Sequence, residues 1–284
     1  MNSFFAMQQA SNSNSGARPK HRHWFWYIFG TLVGLFGLYG LVSYIVLPAL
    51  WSHYEHNPKL EHSPKTTQTA EGISGDPLNI GFVGTTAEVV QTLLAVGWYP
   101  ADPITLRSSV GIAKSVLLKD SYPTAPVSNL YLWGRKQDIS FELPVGNNAK
   151  ARHHVRLWQS KDLSSDHRPL WLGSATFDQS VELSHRTGQI THHIDGNIDL
   201  ERDNLIKSIG NTHQIAQLYQ VTGVGVQWLG QNGGGDKYYT DGELTICVLS
   251  MNSIAQKKPL TLLPNPEPVN LKNEVWSWLR HYFK

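Results

Sequence analysis

The chain has one cysteine, Cys247, in 284 residues. A single thiol excludes an internal disulfide and any zinc site built from several thiolates. It lies in the apolar run Glu243–Leu249, which reads as a buried strand, and thiols in such strands are inert. Charge is scarce as well. Asp, Glu, Lys and Arg make up 16% of the residues and the formal net charge is +2. The basic patch of a nucleic-acid binder is missing, so nucleic acid is not an expected partner. Several catalytic signatures are also absent. There is no Gly-x-Ser-x-Gly elbow, no His-Glu-x-x-His helix and no Walker loop. The last scarcity is local: no charged residue occurs between Trp24 and Leu47.

That uncharged run exceeds the roughly 20 apolar residues a helix needs to cross a bilayer. Trp24, Trp26 and Tyr27 at one end, and Trp51 and Tyr54 at the other, fit interfacial aromatic belts. A secretory signal has an apolar core of about 7–15 residues and a small-residue cleavage site. The run is longer than that, and Pro48-Ala49-Leu50-Trp51 makes a poor site. The expected organisation is a disordered cytoplasmic tail over 1–23, an anchor over 24–51 and a polar linker over 52–75. One domain follows over 76–250, then a linker and amphipathic helix over 251–284. Arg18, Lys20 and Arg22 precede the span, which places the N-terminus in the cytoplasm and the domain outside it. Gly30, Gly34, Gly37 and Gly40 form a small-residue ridge, the type of surface on which two membrane helices approach closely. It motivates a homodimer through the anchor.

Beyond the linker, Leu78–Val83 reads as a strand. A helix follows with Val89, Val90, Leu93 and Leu94 apolar, Thr85 or Thr86 as N-cap and Gly97 at its end. Asp102-Pro103 opens a second helix. Strands are expected over Leu130–Trp133, Asp138–Leu143, His153–Gln159, Pro169–Thr176 and Gln189–Ile194. Asn197–Ile209 returns to helix. Asp241-Gly242 reads as a tight hairpin turn between Tyr238–Thr240 and Glu243–Leu249. Asn270–Lys284 is a last helix, with Leu271, Val275, Trp278 and Tyr282 on one stripe. Its aromatics, with Arg280 and Lys284, suit either a membrane interface or docking on its own domain. Strands in a run, flanked by helices, give an α+β domain with a mostly antiparallel sheet.

The candidate chemistry lies in Arg152-His153-His154-Val155-Arg156-Leu157-Trp158 and in a second pair, His192-His193. Side chains alternate along a strand. His154, Arg156 and Trp158 therefore share one face, and His153, Val155 and Leu157 the other. By the same logic His192 faces the core with Ile190 and Ile194, leaving His193 and Asp195 opposite.

Several blocks together resemble the LssY C-terminal domain family. They are Gly97-Trp98, Ala125-Pro126-Val127-Ser128-Asn129-Leu130-Tyr131, Gly134-Arg135-Lys136-Gln137-Asp138 and Arg152 to Trp158. Trp171-Leu172-Gly173-Ser174-Ala175-Thr176-Phe177-Asp178, His192-His193-Ile194-Asp195, Asp199-Leu200-Glu201-Arg202-Asp203 and Tyr239-Thr240-Asp241-Gly242 complete the set. The resemblance spans roughly 76 to 250. It implies a bacterial, membrane-associated domain with no established reaction. Some members carry it behind modules similar to lipid phosphatases or the DedA class, and the family name comes from a component encoded beside a type I secretion system. Here one anchor precedes the domain.

Three readings of the site remain open. In the first, the domain is a binding or accessory module for an anionic lipid headgroup, a glycan phosphate or a secretion or envelope partner protein, which Arg135, Arg152 and Arg156 grip by forked hydrogen bonds, with Lys136 and Lys150 nearby and Asp199 in the ligand-binding set. In the second, the domain is a metal-assisted hydrolase of a phosphoester or an envelope lipid or glycan, and His154, His193 and Asp178 hold a metal that activates water. His154, His193 and Glu201 are then the catalytic residues, and Asp199 is the other candidate base. No particular cofactor is assigned. In the third, Arg135, Arg152 and Arg202 pair with Asp138, Asp199, Glu201 and Asp203, the core-side histidines satisfy backbone groups, and the network serves only to fix the fold. The localisation expected under any of them is the bacterial inner membrane, single-pass, with a periplasmic domain.

Overall fold

The computed structural model describes residues 21–47, 49, 60, 63–101, 128–146, 151–183, 190–222, 224, 228–250 and 260–283. The tail 1–20, the helix expected at Asp102-Pro103 and Lys150 lie outside the described residues. The chain divides into two compact units, Met1–Tyr54 and Glu55–Lys284.

In the first unit, helix α1 (His21–Leu41) runs into a π-helical turn over Val42–Val46. Trp24–Val46 is long and apolar enough to cross a membrane, with mean hydropathy 1.8 and none of it buried by protein. Its one described threonine satisfies its hydroxyl internally: Thr31 Oγ1 donates to Tyr27 O at 2.9 Å. An apolar solvent demands such internal satisfaction.

The second unit contains β1 (Thr66–Gln68), β2 (Ser74–Pro77), β3 (Ile80–Val83), α2 (Thr86–Ala95), β4 (Tyr99–Pro100), β5 (Tyr131–Leu132), β6 (Arg135–Lys136), β7 (Ile139–Val145), β8 (Ala151–Leu163) and β9 (Pro169–Leu183). Then come β10 (Ile190–Ile194), α3 (Ile198–Gly210), β11 (Ile215–Thr222), β12 (Trp228–Gln231), β13 (Lys237–Thr240), β14 (Glu243–Leu249), β15 (Thr261–Leu262) and α4 (Glu267–Leu279), which ends in a 3-10 turn over Arg280–Phe283. The fold is α+β. A nine-stranded sheet has the order β15-β11-β14-β3-β9-β8-β7-β4, with β10 paired to the far half of β9. Its pairs are antiparallel except β3–β14 and β11–β15. A smaller sheet has the order β2-β1-β5-β6.

Period-two alternation decides what covers each face of the large sheet. Val155 and Leu157 of β8, Phe141 of β7 and Ala175 of β9 pack with Val89 and Leu93 of α2 and Leu205 and Ile209 of α3. On the other face, Trp158, Leu172 and Ile246 pack with Leu130 and Leu132 around β5. Both faces are therefore covered, one by helices and one by the small sheet. The stretch from residue 60 to 75, read from composition as linker, belongs to this construction. Leu60 is buried in the second core, and β1 and the start of β2 fall inside the stretch. Ser, Thr and Gly there make two strands too short to show a period.

Local caps explain the helix starts. Thr85 Oγ1 accepts from Glu88 N at 3.2 Å, and Thr85 N donates to Glu88 Oε2 at 2.7 Å, a closed capping box for α2. The Asn197 side chain caps α3. Asn79 ties three elements: its Nδ2 donates to Ala175 O at 2.8 Å and Ile198 O at 3.2 Å, while its Oδ1 accepts from Ala175 N at 2.8 Å.

Asp241-Gly242 does not close the expected hairpin. β13 pairs with β12 in a separate two-stranded sheet, and β14 pairs with β11 and β3 in the large one. The turn is held instead by Arg202, whose two terminal nitrogens each donate to Asp241 at 2.9 Å.

Gly173 marks a close approach between β8 and β9. A Cβ there would lie 2.9 Å from Arg156 O and collide with the Leu157 side chain. Backbone oxygen cannot yield as a side chain can. Gly173→Ala should therefore cost about 1–3 kcal/mol, read as a lowered thermal midpoint. A midpoint equal to wild type would show that β8 and β9 can part at this point.

Candidate functional site

One face of β7, β8 and β9 is polar although it is buried. The register sets Glu142 opposite His154 and His154 opposite Thr176, Arg152 opposite Asp178, and Arg156 opposite Ser174. All seven side chains are buried. Alternation puts them together, and the small sheet with the turn between β12 and β13 closes over them.

Arg152 Nη1 donates to Glu142 Oε2 at 2.9 Å, a buried ion pair. Its Nη2 bonds His192 Nε2. A guanidinium can only donate, so His192 accepts through Nε2 and carries its proton on Nδ1, which faces Asp178 Oδ2 at 3.7 Å. His154 stands between two carboxyls, with Nδ1 3.1 Å from Asp178 Oδ2 and Nε2 3.5 Å from Glu142 Oε2. Neither contact has the alignment of a hydrogen bond. The two imidazoles meet edge to face at 5.8 Å.

Burial holds both histidines well below their usual pKa, and the Arg152 and Arg156 charges add to this. Burial also pushes the Asp178 carboxyl up to about 7, against the pull of the same arginines. The core of the strip is thus one ion pair beside two imidazoles held neutral and a carboxyl that burial pushes toward its protonated form.

A second chain of contacts runs from the same face. Arg156 Nη1 meets Asp76 Oδ2 at 3.1 Å, and its Nε donates to Ser128 O at 3.1 Å. Asn232 Nδ2 donates to Asp76 Oδ1 and to Asp236 Oδ2, both at 3.3 Å. Asp236 in turn holds His193 Nδ1 and accepts from Ile194 N. Burial raises the Asp76 pKa, and Arg156 opposes it.

The residues singled out from sequence therefore separate into groups. Arg152, His154 and Asp178 come together, and Arg156 lies on the same face. His193 joins the outer chain at Asp236, and the pairing shifts beside it, where β9 carries an extra residue, Gln179, between the partners of His193 and Ile194. His192 takes the inner position. Glu201 and Asp199 sit on the helical side of the sheet. Glu201 Oε2 bonds His153 Nδ1 at 2.7 Å, beside the rings of Phe177 and Trp98. Asp199 accepts from Thr240 Oγ1 at 2.7 Å and Asp241 N at 2.8 Å. Arg135 is bound to Asp138 and Gln159 O, with its guanidinium 5.6 Å from the Trp133 ring. Glu142, Asp76, Asn232 and Asp236 were not expected. A lone Glu inside the apolar Ile139–Val145 strand was the available signal for the first.

With this geometry in place, the comparison with known families is decisive. The family model described as LssY C-terminus matches residues 60–244. The chain belongs to this family. The LssY C-terminus match holds every residue of the polar strip and its cover, and neither α1 nor α4. No curated protein and no solved structure matches the chain.

The donor set can also be tested for a metal. Among the described residues, no three His, Cys, Asp or Glu side chains are placed to hold one ion. The set His154, His193 and Asp178 is not assembled there, since His193 turns to Asp236.

Proposed function

We propose that this LssY C-terminus protein is a membrane-tethered module of the bacterial envelope whose domain takes up a phosphate-bearing anion on the polar strip of β7, β8 and β9. One observation supports this most. Ser174 Oγ and Thr176 Oγ1 are buried and, among the described residues, have no hydrogen-bond partner. They share a face with Arg152 and Arg156. Buried hydroxyls without partners are costly, and two hydroxyl donors beside two guanidinium groups fit the oxygens of a phosphate. Burial raises the Asp178 carboxyl to about 7, which lowers the negative charge that an incoming anion would meet.

The anchor and the charges Arg18, Lys20 and Arg22 ahead of it support an inner-membrane protein with a periplasmic domain. The glycine ridge of α1 supports self-association through the span. The metal-assisted hydrolase has no observation in its favour among the described residues.

The binding reading is tested on the full chain in detergent micelles, titrated with inorganic phosphate. A parallel titration in phosphatidylcholine nanodiscs, with and without phosphatidylglycerol, separates a free phosphate from a lipid headgroup. Ser174→Ala with Thr176→Val leaves both ion pairs intact. It should weaken binding about 10-fold or more, the effect of losing hydrogen bonds to a charged group. Wild-type binding should be tighter at pH 6 than at pH 8, because protonated Asp178 does not repel an anion. A folded protein that binds neither probe at either pH overturns the reading.

A further inference from the structure

Helix α4 presents an apolar stripe that its own domain does not use. The helix docks through Val269 and Trp276, and the Trp276 ring lies between those of Trp228 at 5.6 Å and Phe283 at 5.7 Å. On the opposite side Leu271, Val275, Trp278 and Tyr282 are 63%, 47%, 63% and 72% exposed. Scattered apolar residues on a surface need no explanation, but a row at helical spacing does.

Three observations select the occupant. The chain carries its own apolar span, Trp24–Val46. Leu60, already buried in the domain, follows Val46 by fourteen positions, and at roughly 3.5 Å per extended residue that tether reaches about 50 Å at most. A bilayer is thus always within range of the domain. The stripe also has the composition of an interfacial helix, aliphatic at one end and Trp and Tyr at the other. Finally, it is small for a second copy. Aromatic side chains bury about 150–250 Å² each, so four partly exposed groups offer roughly 400–500 Å². A stable interface takes about 800 Å² per partner.

We propose that α4 lies along the surface of the bilayer to which the chain is tethered, with Leu271, Val275, Trp278 and Tyr282 at the headgroup–acyl boundary. Glu267 and Glu274 are exposed on the same helix, so apolar burial drives this contact and anionic lipid is not required.

The lone native thiol makes the test clean. Cys247 is fully buried, and burial raises its pKa far above the ordinary thiol range, so it does not label in the folded protein. Leu271→Cys and Val275→Cys, and Ser277→Cys as a control outside the stripe, are made separately in the full chain and labelled with a polarity-sensitive dye. Each is placed in phosphatidylcholine nanodiscs with plain or brominated acyl chains. Bromine should quench the labels at 271 and 275 at least twofold more than the label at 277. Equal quenching at all three positions overturns the proposal. Labels shielded in proportion to protein concentration, and indifferent to bromine, assign the stripe to a second copy and overturn it as well.

Discussion

Asp178→Asn is expected to stabilise the folded protein most above pH 7, by about a third as much at pH 5, and not at all below about pH 4. Burial raises the folded-state carboxyl from 3.8 up to about 7. Between those two values the folded chain keeps a proton that the unfolded chain releases. The stability contributed by Asp178 is therefore complete below about pH 4, falls through the window, and is lost as the pH passes 7. An amide of the same shape never ionises and removes the loss. A shift of this size corresponds to on the order of 2–4 kcal/mol at pH 8. His154 and His192 act in the opposite sense. Their folded pKa values are depressed, so their contribution is present above about pH 6.5 and lost as the pH falls. Denaturant midpoints of both proteins from pH 5 to 9 provide the check. Parallel curves would mean that Asp178 is already ionised in the fold and forms an ion pair with His154.

The strip was half legible in the sequence. Alternation along Arg152–Trp158 put His154, Arg156 and Trp158 on one face, as the structure has them; Arg152 shares that face, and the register brings Asp178 to it. Alternation does not say what lies above a face. The covering strands β1, β2, β5 and β6 are two to four residues long, too short to carry a period. A face that looks solvent-exposed from β8 alone is therefore covered. His192 lies beside Arg152 and His193 turns to Asp236 for a local reason, since the pairing of β10 with β9 shifts after His193. Asp76 stands at the expected start of the domain, and Asn232 and Asp236 carry no motif. Their meeting with Arg156 depends on chain segments far apart in sequence.

The helices were read better than their faces. The apolar stripe of α4 is present, but it is the exposed side, and the docking side is set by Val269 and Trp276. Periodicity locates an apolar face and leaves open whether protein or lipid covers it. Asp199 and Glu201 show the same limit. Their place in the first turn of α3 suits the helix dipole, yet both are buried and held by Thr240, Asp241 and His153. Nothing in the local sequence separates that structural use from a catalytic one.

The Arg152–Glu142 pair offers the sharpest separation of structure from binding. Arg152→Met leaves a carboxylate buried without its guanidinium, and Glu142→Leu leaves the reverse. Breaking a buried pair from one side costs about 3–5 kcal/mol, so either single variant should shift the denaturation midpoint strongly. Removing both at once is different. Two apolar side chains of similar volume avoid the desolvation of two charges, and such exchanges are often neutral or stabilising by about 1–4 kcal/mol. The double variant should therefore recover most of the lost stability, a coupling that a double-mutant cycle measures directly. Recovery of the fold with phosphate binding reduced about 10-fold or more would assign Arg152 to the ligand. Recovery with binding unchanged would assign the pair to the fold alone and move the anion contacts to Arg156. If the double variant instead stays as unstable as the singles, the pair is held by more than its mutual charge, and His192, the other partner of Arg152, is the next residue to exchange.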